Sequence, residues 1–176
     1  MKKVGIIIVV CILLCICVCF IAHSIYNNIN QNKPLKGNEE MYALTEQEIV
    51  HINDNSNFLG CVLLDESCET TAVVQIIRNE TKDYYMCFPY RDGNYITTVN
   101  LFSKDANFYG ISIGDSLEKM AFIMEEQGFL KQDSAPENTI NFRKYYIAVS
   151  FMYDDENVIN SVSCSVIDPV YIGITY

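Results

Sequence analysis

The chain has no tryptophan, only two histidines, and 12 Lys and Arg against 22 Asp and Glu in 176 residues. Each shortage closes off a class of function. A nucleic-acid interface needs a basic footprint, yet beyond Lys3 there are 10 basic and 22 acidic residues, about −12. The same balance opposes docking onto anionic lipid and favours solubility. A Ser-His-Asp or Cys-His arrangement needs a histidine. His23 sits at the edge of an apolar run, and His51 falls near the end of a predicted helix, where a cation suits the dipole. Among Cys61, Cys68, Cys87 and Cys164 there is no CxxC, the spacing a zinc site would show. No strand–helix–strand alternation suggests a nucleotide-binding fold.

What the chain does have is a long apolar run at its front. Val4 to Ala22 contains no charge. As a helix it would be roughly 28 Å long, close to the hydrocarbon thickness of a bilayer. Lys2 and Lys3 precede it and keep the N-terminus cytoplasmic. Residues 1–23 are therefore expected to be a transmembrane signal anchor, 24–40 a polar linker, and 41–176 an extracytoplasmic domain. The alternative is a cleaved signal peptide, since Ala22-His23-Ser24 offers small residues to a peptidase and would release a secreted protein near Ser24. Cys15, Cys17 and Cys19 follow Leu14, Ile16 and Val18, large residues that a lipoprotein site does not use. The four outer cysteines permit disulfides with three pairings.

Beyond the linker, Leu44 to Asn53 reads as a short helix. Thr45 and Glu48 would form a capping box and Leu44 and Ile49 a staple, with Ile49 and Ile52 facing the core. Cys61–Leu64 is a short apolar run. Thr70–Ile77 is dense in β-branched residues and favours a strand. Tyr84–Phe88 and Tyr95–Phe102 read as a hairpin around Asp92-Gly93. Asp115 and Glu118 predict a second capped helix ending at Gly128, with Leu117, Met120, Ala121 and Met124 on one stripe. Tyr145, Ile147, Val149 and Phe151 alternate with Tyr146, Ala148 and Ser150. After a turn at Asp154–Asn157, Val158, Val162, Cys164 and Val166 oppose Ser161, Ser163 and Ser165, which predicts a half-buried hairpin. The expected fold is α+β, an antiparallel sheet with two short helices packed on one face, preceded by one N-terminal transmembrane helix.

Asn57-Phe58-Leu59-Gly60 recurs as Asn107-Phe108-Tyr109-Gly110, and Leu64-Asp65-Glu66-Ser67 echoes Gly114-Asp115-Ser116. The sequence thus raises the question of a duplication covering 57–78 and 107–128. The stretch Gly110-Ile111-Ser112-Ile113-Gly114-Asp115-Ser116, the helix to Gly128 and the hairpin that follows resemble the repeats of β-lactamase-inhibitor-protein-like and SmpA/OmlA-like small envelope domains. The match spans about residues 107–167. The chain departs from the SmpA/OmlA pattern in lacking a lipidation site. The resemblance implies a non-enzymatic module that binds other proteins through its sheet face, and it carries over no functional residue.

Several motifs touch on known chemistry. Ser116-Leu117-Glu118-Lys119 fits S-x-x-K, but neither S-D-N nor K-T-G follows, so Ser116 is read as a helix starter. Asp105, Asn107 and Gly110 match three positions of a calcium loop, yet Tyr109 and Ser116 occupy ligand positions. Asp154-Asp155-Glu156 reads as a solvated turn. Asn79-Glu80-Thr81 is a glycosylation sequon. Twelve tyrosines, many in predicted strands, suit either a half-exposed sheet face or an interface. The sequence therefore points to a membrane-anchored protein-binding module with no catalytic, cofactor or metal residue. A cell-envelope hydrolase and a small-ligand or lipid carrier are the alternatives.

Overall fold

The structure, a computed structural model, describes residues 39–64, 75–78, 80–90, 93–133 and 135–167. The predicted anchor at 4–22, the predicted linker up to residue 38, and residues 65–74 lie outside them. No helix among the described residues is long and apolar enough to cross a membrane.

Among the described residues, two helices and nine strands follow one another as α1 (Glu39–Asn55), β1 (Gln75–Arg78), β2 (Tyr84–Tyr90), β3 (Gly93–Leu101), β4 (Asn107–Phe108), β5 (Ile111–Ser112), α2 (Leu117–Glu126), β6 (Leu130–Lys131), β7 (Thr139–Lys144), β8 (Ile147–Tyr153) and β9 (Ile159–Val166). Seven strands form one sheet in the order β1-β2-β3-β9-β8-β7-β6, every pair antiparallel. Ile49 and Ile52 of α1 and Met120 and Met124 of α2 enter one core with Val99, Val149, Phe151, Val162 and Cys164. Both helices thus cover the same face of the sheet, as expected of this α+β fold. Phe108 sits at the centre of that core, its ring edge-on to Phe129 and Phe151.

The two Asn-Phe turns share a local structure. Asn57 and Asn107 bridge antiparallel, each N–H donating to the other's carbonyl at 3.0 Å. In both copies the third residue, Leu59 or Tyr109, takes a positive φ, as does the glycine after it. Such backbone is what glycine tolerates at no steric cost. In both copies the phenylalanine is buried, and the asparagine Oδ1 accepts a turn N–H from Leu59 or Gly110. Leu64 and Gly114 then donate to the carbonyls of Ile96 and Ile159, in the innermost strand of each half. The strand order is mirrored about the antiparallel seam between β3 and β9, where Val99 faces Cys164. Three strands lie on one side of that seam and four on the other, and each turn is tied to the innermost strand of its own half.

Several local expectations are corrected. Helix α1 begins at Glu39, not Leu44, and takes in the last two residues of the predicted linker. Thr45 is therefore interior rather than capping: its hydroxyl donates to the Met41 carbonyl four residues back and accepts from Tyr146 N–H. The cap of α2 is Ser116, whose Oγ accepts from Lys119 N–H, while Asp115 turns back to Ser112 N–H. Of the predicted stripe, Met120 and Met124 are fully buried, Leu117 packs partly against the core and Ala121 is exposed; Ile123, outside the stripe, also packs partly against the core. Cys61–Leu64 forms a bridge and a turn, not a strand. Strands β2 and β3 run past Pro89 and Asn94, which pair, so the turn is tighter than expected. Ile159 rather than Val158 joins Val162 inside, because the register shifts between Met152 and Tyr153. Gly128 ends α2 region at φ +74 as expected.

Candidate functional site

None of the nine strands contains an aspartate or glutamate. Among the described residues the carboxylates lie on helices and connections, so a chain with a strong negative balance presents strands without acid. The helix-bearing face is mainly apolar and carries the charged Lys144. The opposite, outer face has a different chemistry, set by the two-residue alternation of the strands. Arg78, Tyr84, Asn100, Ser163, Ser150 and Asn141 line up across six strands. The neighbouring row carries Met86, Thr98, Ser165, Ala148 and Arg143. Hydroxyls and amides therefore occupy the centre, and an arginine stands toward each lateral edge. Thr98 Oγ1 donates to Ser165 Oγ at 3.1 Å across the β3–β9 seam. Exposed Phe102 stacks on Tyr84 at 6.0 Å, and exposed Met152 flanks Ser161. The predicted Ser161, Ser163 and Ser165 stripe lies on this face as expected, although Ser161 is buried.

Under the helices lies a buried polar cluster that sequence reasoning did not find. The Tyr109 hydroxyl donates to Glu48 Oε1 at 2.9 Å, and Lys144 Nζ meets Glu48 Oε2 at 2.6 Å. Lys144 also donates to the Gln127 carbonyl at 2.7 Å, at the end of α2. Because Tyr109 gives its one proton to Glu48, His51 Nδ1, 2.9 Å from the hydroxyl, acts as the donor to it. Burial, then the bond to Glu48, raises the Tyr109 phenol well above its ordinary range. Burial, then the Glu48 charge, also raises the thiol of Cys164. These residues join α1 to the second repeat unit. The Tyr109 hydroxyl, both Glu48 carboxylate oxygens and Lys144 Nζ each have a protein partner, as a structural cluster requires. A second buried carboxylate, Asp83, accepts from the N–H groups of Phe102 and Ser103 and from Thr81 Oγ1, and ties the start of β2 to the end of β3.

Ser116 is the α2 cap. Lys119 pairs with Asp115 at 2.7 Å on the surface and reaches the Gly110 carbonyl. His51 reaches the hydroxyl of Tyr109, so Lys119 and His51 both flank the 107–114 turn, without bonding to one another. Asn107 Oδ1 is engaged by Gly110 N–H. No group of three or more potential metal ligands is found among the described residues. Asp154 Oδ1 closes its own turn through Glu156 and Val158 N–H. Cys87 is disulfide-bonded, whereas Cys61 and Cys164 are thiols. Asn79 and Cys68 lie outside the described residues.

Beside α2 a groove of about 320 Å³ is lined by Met120, Ala121, Glu125, Phe129, Leu130, Lys131, Ile140 and Phe142. Its rim residues Ala121, Glu125, Leu130 and Lys131 are exposed. It is therefore an open depression at the β6 edge.

No family model, curated protein or solved structure matches this chain. The site must be read from its own chemistry.

Proposed function

We propose that this chain is a membrane-anchored, extracytoplasmic protein-binding module without enzymatic activity. Residues 4–22 would span the membrane with the N-terminus cytoplasmic. The observation that carries the binding role is the outer sheet face, free of carboxylate in an acidic domain and edged by exposed Phe102 and Met152. Interface cores are depleted in charge and enriched in aromatic residues, methionine and arginine. The glycine-led capped helix before a hairpin agrees with the resemblance to β-lactamase-inhibitor-protein-like and SmpA/OmlA-like domains, whose implied role is the same.

Two measurements test this reading. Intact mass of the native protein from separated membrane and soluble fractions should give the full-length chain in membranes. A mass starting near Ile25 in the soluble fraction would replace the anchor with secretion. Crosslinking in cells should return one reproducible protein neighbour, and repeated failure to do so would count against a binding module.

A small-ligand carrier is favoured only by the groove beside α2, whose volume is at the lower end of ligand pockets. Saturable uptake of a fluorescent fatty acid, abolished by Ala121→Trp, would support that role.

A further inference from the structure

We infer that the partner docks on the outer face of the sheet, centred on Asn100, and that its own surface is rich in hydrogen-bond acceptors, uncharged at its centre and acidic at its margins. This rests on the protein-binding reading above and says where the contact is and what recognises it.

Three observations converge. Asn100 lies opposite both Tyr84 and Ser163, in the middle of the outer row. It is 8% exposed, and among the described residues its Nδ2 finds no acceptor. A buried donor left unpaired costs about 1–3 kcal/mol, so an acceptor supplied from outside gains more here than at an exposed amide. The hydroxyls of Ser163 and Ser150 continue the row, and such groups adapt as donors or acceptors. The charges of the row and its neighbour are Arg78 and Arg143, both exposed, one toward each lateral edge. A partner with carboxylates spaced to meet them would be held in register, while a basic one would be rejected. A chain of net charge −10 otherwise repels acidic partners, so this face is where an acidic surface can approach.

The test uses the full chain in its own cells with a photoreactive phenylalanine placed singly at Ser163, Ser150, Val50 or Phe122. The first two lie on the outer face, and the last two are exposed on the helices. Ultraviolet light should give one protein adduct from Ser163 and Ser150 and none from Val50 or Phe122. Arg78→Glu with Arg143→Glu should reduce that adduct at least tenfold while leaving the thermal melt unchanged, since both side chains are exposed. Asn100→Ala should reduce it several-fold, also without loss of folded protein. Adducts from the helices alone, or outer-face adducts indifferent to the arginine reversals, would overturn this inference and leave the module reading standing. Protease-resistant adducts, of glycan or lipid, would overturn the protein chemistry. No adduct from any position would overturn both.

Discussion

Asn57 and Asn107 lie fifty residues apart and hold each other by two backbone hydrogen bonds of 3.0 Å, while each side chain closes its own turn. Asn57 Nδ2 adds a bond to the Asp105 carbonyl. Replacing either asparagine by alanine should lower unfolding stability by about 1–2 kcal/mol. The double variant should lose less or more than the sum, because neighbours couple. Chemical denaturation of the four proteins measures this, and strict additivity would contradict the linkage of the two turns.

Glu48 is the hinge of the buried cluster. Removing one partner of a buried pair leaves the other uncompensated, at a cost of about 3–5 kcal/mol. Glu48→Ala should therefore be among the most damaging single changes in the domain. Lys144→Met with Glu48→Leu should recover much of the loss, because an apolar pair of similar volume strands no charge. Thermal melts of the two variants beside the parent protein decide the point.

Alkaline pH should weaken the fold in two stages. Cys164 and Tyr109 keep their protons in the folded state because burial raises both. In the unfolded chain they release them near about 8.5 and about 10. Stability conferred by these groups is complete below those values and falls as pH rises past them, since the folded state then binds more protons than the unfolded. Acid acts through Asp115. Burial raises its carboxyl, but the Lys119 ammonium and the Ser112 N–H outweigh that and hold it below its ordinary range. Its contribution is present above the ordinary carboxylate range and is lost as pH falls through the folded value. Denaturant midpoints from pH 3 to 11 should trace both limbs, and Tyr109→Phe should flatten the upper one.

Thiol labelling should sort the cysteines by environment. Cys61, half-buried, should react in the native protein; Cys164, fully buried, only in denaturant; Cys87 only after reduction. Peptide mass mapping after stepwise alkylation gives the order, and early labelling of Cys164 would show that the core opens.

Much of this fold could be read along the chain, because its outer hairpins are local. The alternation at Ile147–Phe151 and the Ser161–Ser165 stripe are periodic signals that burial reproduces. Strand β7 carries little signal of its own. Its six residues, Thr139–Lys144, include only two apolar ones, and its pairing with β8 determines its state more than its composition does. The start of α1 is hidden in the sequence because Glu39-Glu40 continue the polar composition of the linker. Thr45 and Glu48 imitate a cap for a deeper reason. Capping-box spacing is also the spacing of one helical face, and that face meets Lys144 and Tyr109, which are distant in sequence. The outer face was half legible. Serines could be assigned to one side, but the alignment of Arg78 with Asn141 across six strands depends on pairings between the two repeats.

The β3–β9 seam also dictates the order in which the chain can fold. Each half's hairpins close over a few residues and form on a microsecond scale. Joining Val99 to Cys164 requires the whole second half to be in place, and non-local closure of this kind slows folding. Until it happens, both innermost strands are open edges, each able to pair with the matching strand of another chain. During synthesis the first half waits in that condition, with β3 unpaired on its inner side. A chaperone for such a protein would have one strand to shield, and the arrival of β9 would release it.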